Sequence, residues 1–508
     1  MKYTSIKVWA LILSLVLTIC VSSCMFVKSQ VNQQKGAKTE VVRTSIFNAS
    51  ASPLAIKNVN VLSFDCTKTL DSMTVLLKDG RIVNVAKGLN ITGEYKVIDG
   101  TGQYLIPGLI DTHTHLHRSK NDLLLFLANG VTHIANNNSE QDNILLQWRK
   151  EANEGSLSPK IYIAAGGMST KKGFTQKVRT LFGDGPKYNT TQQARKAVRK
   201  FKNQGYDAIK IYNLDRDIYF AVTEEARNQN IPVIGHLPPS ASLEDLYNSG
   251  QSQLAHVEEI TKATMSAFNG LNYDNTEEYL VYLENCKNDI AIKLREKKIV
   301  VSSTLRIIES IPKQNFDLEN YLKTIELEYQ NPGQIEGSKL VKGWLPGNNG
   351  YENMDLKSDP ELTKKSKIFW KTYVEAMHIM TKALVDNGVT ITTGTDSNGT
   401  GIIAGFSLHD EFESLSNVGM SNTQVMYAAT VAPSQWLQSN AGKIEPGFSA
   451  DLVLLDKNPL EDIKNTRTIN AVIANGKFLD RVMLDNILQA IKDANNRSRK
   501  KSIHEFIN

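Results

Sequence analysis

The chain is poor in cysteine. Four occur in 508 residues, and two of them, Cys20 and Cys24, lie in the amino-terminal leader region. Cys66 and Cys286 remain and fall in different expected domains. A disulfide scaffold and a thiolate zinc site are therefore excluded. A charge excess of one sign is also missing, with 58 basic against 53 acidic residues and a net charge of +5. Losing Lys2 and Lys7 with the leader would take +5 to +3. That balance is too mild for a nucleic-acid partner. There is no Gly-rich phosphate loop and no internal repeat. What is present is an ordinary globular composition, 41% hydrophobic and 22% charged. The length suits one large core plus a small second domain.

The first 23 residues read as a leader. Lys2 and Lys7 form a positive start, and Trp9 to Val21 is an apolar run too short to span a bilayer comfortably. It ends in Val21-Ser22-Ser23-Cys24, which looks like a bacterial lipobox. Cleavage there leaves Cys24 as a lipidated amino end, holding the protein at a membrane without spanning it. An ordinary signal peptide cut nearby is the alternative. The expected location is the cell envelope of a bacterium, facing the periplasm or the exterior. Met25 after the cysteine leans towards an outer membrane.

Residues 24–53 are polar and without periodicity, as in a tether. Residues 54–107 alternate apolar and polar positions, with turn signals at Lys78-Asp79-Gly80 and Asp99-Gly100, as short antiparallel strands do. Asp451–Leu455 and Ile469–Lys477, within 439–482, show the same pattern. Between them, over 108–438, strands alternate with helical patterns, which predicts a parallel α/β domain. The expected barrel strands are Leu109–His113, Val131–Ala135, Lys160–Ala164, Ala208–Tyr212, Val233–His236, Gln253–His256, Ile299–Ser303 and Thr390–Thr395. Eight strands suit a (β/α)8 TIM-like barrel. Ile307 to Lys357 is too long for an ordinary loop and is read as a partial lid. Residues 483–508 carry an amphipathic segment, Met483 to Lys501, with a basic end. It is read as a packing helix, with membrane-surface binding as the alternative.

The chemistry concentrates at strand ends. Leu105 to His115 is an apolar strand closing in two histidines one residue apart, so His113 and His115 share a face. Two such imidazoles can share a metal. Lys210 lies inside the apolar strand 208–212, His236 ends the strand 233–236, and Asp396 follows the β-branched run 389–395. His256 is a weaker fourth case. Metal-capable side chains at several strand C-termini are what a parallel barrel collects at one end.

These motifs, YLIPGLIDTHTHLH, GVTHIANN, DAIKIY, IPVIGH, AHVEE, TTGTD and GKIEPGFSADLVLLDKNPLEDI, resemble the metal-dependent amidohydrolases of the imidazolonepropionase-like and Xaa-Pro-dipeptidase-like branch. The likeness runs through most of the mature chain. It implies that the two end segments join as one small β-sandwich. It also implies a centre of two divalent ions of the zinc type. His113, His115 and Asp396 would hold the more buried ion, His236 and His256 the more exposed one, and a carboxylated Lys210 would bridge them. A salt bridge from Lys210, to Asp396 for example, is the structural alternative. Asp396 would shuttle the proton as a metal-bridging hydroxide attacks.

Other residues carry weaker expectations. His117 either supports the site or faces substrate, and Tyr212 either contacts substrate or packs. His133 packs or hydrogen-bonds, His409 orients a helix near the site, and His378 and His504 are surface or helix residues. Two departures from the family put the substrate in doubt. Ala165 to Gly173 lacks the histidine of the usual Gly-Gly-His segment, and Ala432-Pro433 replaces Asn-Pro. The expected reaction on a small-molecule substrate is hydrolysis of a C–N amide bond, in a dipeptide or an N-acyl amino acid. The alternatives are a cyclic amide, lactone or phosphotriester substrate, or a non-catalytic envelope binding protein. Oligomeric state stays open.

Overall fold

Eight short runs of apolar and β-branched residues pair side by side in chain order. They are β6 Leu109–Thr114, β7 Val131–Asn136, β8 Lys160–Met168, β9 Ala208–Ile211, β10 Val233–Gly235, β11 Gln253–Leu254, β12 Val300–Ser302 and β13 Ile391–Thr392. Adjacent strands pair in parallel throughout. The last strand returns to the first: Thr112 N–H donates to the Thr393 carbonyl at 2.9 Å, and Asp396 N–H to the His113 carbonyl at 2.8 Å. This computed structural model describes residues 18, 21–49, 51–137, 143–170 and 188–507. Lys2, Lys7, Cys20, most of the apolar leader run and the Lys171–Gly173 end of the third-strand segment lie outside the described residues.

The later strands are shorter than the sequence predicts. β10 and β11 stop at Gly235 and Leu254. His236 and His256 therefore stand just beyond the ladder, where the chain turns away to build the mouth of the barrel. His256 also serves as the residue before the helix Val257–Ala267, with extended backbone.

The second unit is one mixed sheet of eight strands. It takes β1 Leu54–Leu62, β2 Thr69–Lys78, β3 Arg81–Ala86, β4 Lys96–Asp99 and β5 Tyr104–Pro107 from the amino side. From the carboxyl side it takes β14 Leu452–Leu455, β15 Ile469–Ala474 and β16 Lys477–Asp480. β5 and β14 pair antiparallel, Leu452 opposite Pro107, so the chain's two ends meet in one sheet. Its own core includes Leu54, Ile56, Val75, Leu105, Leu454 and Ile473. It is clasped to the barrel by Asp451. One carboxylate oxygen accepts from Lys160 Nζ at 2.8 Å and the other from the Asn475 amide at 2.7 Å.

The long segment after β12 is folded rather than a bare loop. It holds helices Leu305–Phe316, Leu318–Leu322 and Pro332–Glu336. Leu322, Ile335, Trp344 and Ile403 form a third core with Ile503 and Phe506 from the carboxyl end. The helix Arg481–Ser498 buries Leu484, Ile487, Ile491 and Ala494, as a packing helix does.

The amino-terminal segment behaves differently from a free tether. Residues 21–34 are helical. The stretch that follows lies against the body. The Lys35 carbonyl accepts from Arg118 N–H at 3.1 Å. Thr39 Oγ1 donates to Asn331 Oδ1 at 2.7 Å, and Val42 N–H to Asn121 Oδ1 at 2.9 Å. Arg497 meets both Glu40 oxygens at 2.8 Å. These partners belong to the first barrel loop, the insertion and the last helix, which a one-dimensional reading cannot bring together.

Candidate metal centre

Alternation along β6 puts Asp111, His113 and His115 on one face. His113 is fully buried, with 0% of its surface exposed. Its Nδ1 meets the Ala255 carbonyl at 3.0 Å, while Nε2 is buried without a hydrogen-bond partner among the described residues. His236 Nδ1 meets Glu259 Oε1 at 2.9 Å, and His256 Nδ1 meets Thr304 Oγ1 at 2.7 Å. In all three rings the Nδ1 side is held by a protein oxygen. Second partners of this kind fix a ligating imidazole's tautomer and orientation. His115 Nε2 lies 2.8 Å and His113 Nε2 3.4 Å from Asp396 Oδ1.

The rings form a continuous arc. Centroids are 5.3 Å apart for His115 and His113, 4.5 Å for His113 and His256, and 5.0 Å for His256 and His236. The tightest trio is His113, His256 and Asp396, whose ligand atoms all lie within 4.8 Å of one another. His256 is buried and His115 only half-buried. Tyr212 stacks on His236 at 4.3 Å, and His117 on His115 at 5.9 Å.

Lys210 projects into this arc from β9. It is fully buried, and its Nζ has no hydrogen-bond partner among the described residues. It sits 5.2 Å from the centre of the Tyr212 ring. No ion pair to Asp396 forms, so the salt-bridge alternative is not what the structure builds. Burial pushes the Lys210 amine down to about 8, against the pull of the Asp396 and Glu259 charges. Burial, then the Lys210 charge, drives His113 well below the usual histidine range, and burial takes His256 down to about 3. These rings are neutral, as a ligand must be. Burial would raise Asp396, but the hydrogen bond from the His115 imidazole opposes it, and the carboxylate stays below its ordinary range.

The donor set fits divalent metal. Three neutral imidazoles have Nδ1 anchored, one carboxylate is ionised, and a buried amine and a buried imidazole nitrogen lack partners. Such orphaned polar atoms are costly without a ligand.

Several supporting residues escape sequence reasoning. Glu259 takes His236 Nδ1 on one oxygen and the Leu237 amide at 2.9 Å on the other. Its hint was the acidic pair after His256 in the AHVEE motif. Thr304 adopts φ +48°, a strained conformation for a β-branched residue. The buried Glu411 holds the next two amides, Leu305 and Arg306, at 2.9 and 2.8 Å. Nothing local in the sequence signals either. Asp111 bonds Thr395 Oγ1 at 2.6 Å and the His113 amide at 3.1 Å, joining the first strand to the last. Its parity with His113 was the available signal. Tyr351 from the insertion comes close enough that the Asp396 charge, after burial, raises its hydroxyl.

Other expectations resolve locally. His133 is buried beside Thr132 Oγ1 at 3.0 Å. His409, on the helix Phe406–Asn417, bonds Thr466 Oγ1 and the Asn129 carbonyl at 2.9 and 3.1 Å. His378 pairs with Glu309 at 2.7 Å on the helix Pro360–Asp386.

Residues 104–479 match the amidohydrolase family pattern. The chain belongs to the amidohydrolase family. Its curated relatives include the 5'-deoxyadenosine deaminase of Methanosphaera stadtmanae, 23% identical over 85% of this chain and 92% of that protein. Human dihydropyrimidinase-related protein 5 is 42% identical, but over only 14% of this chain and 12% of its own length. Among solved structures, the bottromycin amidohydrolase has a TM-score of 0.67 and 19% identity, covering 92% of this chain and 96% of that one. A Xaa-Pro dipeptidase with methionine in its active site has a TM-score of 0.61 and 16% identity, covering 84% and 100%. At these identities the solved structures share the fold.

Proposed function

We propose that the chain is a lipid-anchored amidohydrolase that cleaves a C–N amide bond in a dipeptide or an N-acyl amino acid. The observation that carries the reading is Lys210, a buried amine without a hydrogen-bond partner among the described residues, facing a histidine arc and a carboxylate. In a parallel barrel the strand C-termini form the reaction site. The Xaa-Pro dipeptidase and the bottromycin amidohydrolase, which share the fold, support an amide substrate. Anchoring rests on the lipobox at Cys24. No described helix is long and apolar enough to cross a membrane.

His113, His115, His236, His256, Asp396 and Lys210 would hold two divalent ions of the zinc type. Such ions bring the pKa of water near neutrality and polarise a carbonyl. The lowered Lys210 amine adds carbon dioxide, forming an N–C bond and releasing one proton. The carbamate supplies an anionic oxygen where the free amine could not. Asp396, held ionised, accepts the proton of the attacking water and passes it to the leaving amine nitrogen. Glu259 keeps His236 in one tautomer, and Thr304 orients His256. Tyr212 and His117, stacked on the outer rings of the arc, are placed to meet substrate.

The test is a dipeptide and N-acyl amino acid library offered to protein made with zinc, read as free amino acid released. Turnover of at least one class is expected. Elemental analysis of the same sample should give close to two ions per chain. Zinc-loaded protein inert towards every amide would overturn the reaction, and protein empty of metal would favour a binding role.

A further inference from the structure

The amino-terminal helix ends against the insertion, and exposed lysines and apolar side chains occur along both. Gln30 Oε1 accepts from the Lys339 amide at 3.0 Å. Lys339, Leu340 and Lys342 are exposed beside it. Glu336, on the same stretch, accepts the amides of Lys500 and Lys501 at 2.6 and 3.1 Å, which fixes the basic carboxyl end there. Lys28, Lys500 and Lys501 are exposed too. Met25, Phe26 and Leu340 expose 69, 48 and 55% of their surface, a large share for apolar side chains. Two nearby carboxylates are already engaged, Glu40 by Arg497 and Glu336 by backbone amides. Glu505 stays exposed.

We infer that this face lies on a bilayer carrying anionic phosphate headgroups. The inference rests on lipidation of Cys24, and chain length carries it. Gln30 is six residues past Cys24 and inside the helical stretch 21–34, so the two are about 9 Å apart along the axis. A body pinned at Gln30 cannot swing far from acyl chains at Cys24, and the surface around Gln30 must meet the headgroups. Lysines attract anionic lipid within a Debye length, and exposed Met, Phe and Leu insert at the acyl boundary. An expected loose tether is thereby replaced by a fixed orientation of the enzyme.

The test uses full-length protein from a host that processes lipoproteins. Mass spectrometry of its amino end reads acylation separately. The product is mixed with phosphatidylcholine vesicles, with and without phosphatidylglycerol, and amide hydrogen exchange is followed. Slowed exchange is expected over 336–343 and 499–502 on the anionic vesicles only. It should fade with salt and vanish in Lys339→Glu/Lys342→Glu/Lys500→Glu/Lys501→Glu, which should keep its fold. Acylated protein that floats with both vesicle types yet exchanges identically on each would overturn the docking face and leave anchoring intact. An amino end without acyl groups would overturn anchoring instead. The same exchange comparison would then decide the face as a purely electrostatic surface.

Discussion

Asp396 combines three tasks in one residue. Its backbone takes φ +60°, a region asparagine and aspartate tolerate better than most. Its amide closes the barrel on His113, and its carboxylate meets His113 and His115. Asp396→Asn keeps the shape and one oxygen but cannot accept a proton. Turnover on a confirmed substrate should fall by at least about a hundredfold while the fold and much of the metal survive. Near-normal turnover would remove Asp396 from proton transfer. Lys210→Ala should lower bound metal from about two ions to about one or fewer if Lys210 supplies the proposed bridging donor. Unchanged stoichiometry in elemental analysis would make Lys210 a structural residue.

At the scale of elements, β8 and β9 meet through a glycine. A Cβ on Gly167 would overlap the Tyr212 ring, the ring that stacks on His236. Gly167→Ala should cost about 1–3 kcal/mol by overpacking. The penalty should disappear when Tyr212 is already alanine, a double-mutant cycle read by denaturant unfolding. Equal penalties in both backgrounds would locate the strain elsewhere. The first barrel helix, Asp122–Ala128, opens on a buried carboxyl. Asp122 accepts from Ser119 Oγ at 2.6 Å and Asn398 Nδ2 at 2.7 Å, yet burial pushes it up to about 7. Between the ordinary carboxylate value and about 7, the folded chain keeps a proton that the unfolded chain has lost. Stability from this group therefore falls as pH rises through that window, by about 1.4 kcal/mol per unit. Unfolding of Asp122→Asn at pH 5 and pH 7 should show a shallower decline than the wild type, and parallel declines would refute the assignment.

Across the whole molecule, the β domain is fastened to the barrel by Asp451, a buried carboxylate on the carboxyl-terminal part of the chain. Removing it leaves the Asn475 amide without its acceptor and the Lys160 ammonium with only Ser449 Oγ at 3.3 Å. Asp451→Ala should destabilise by about 1–3 kcal/mol. Lys160→Met should cost less, about 0–1 kcal/mol, because the lysine is partly solvated. If the two variants unfold at the same denaturant concentration, the ion pair alone forms the clasp and the amide contact adds nothing.

Local pattern carried much of this protein. Alternation set His113 and His115 on one face, and apolar runs bounded by turn residues marked all eight barrel strands. Their parallel order follows from the helices between them. These properties depend on neighbours two to four positions apart, which a sequence displays directly. The supporting contacts depend on distant pairs. Glu259 reaches back 23 positions to His236 and Thr304 reaches 48 to His256. The Glu40 pairing with Arg497 spans 457. No periodicity encodes such pairs. They exist because barrel closure brings strand ends to one mouth, and because burial there makes every unpartnered polar atom expensive. The same closure decided that Lys210 lies among the histidines and near Asp396 without forming an ion pair to it, and that the amino-terminal segment is strapped down rather than free.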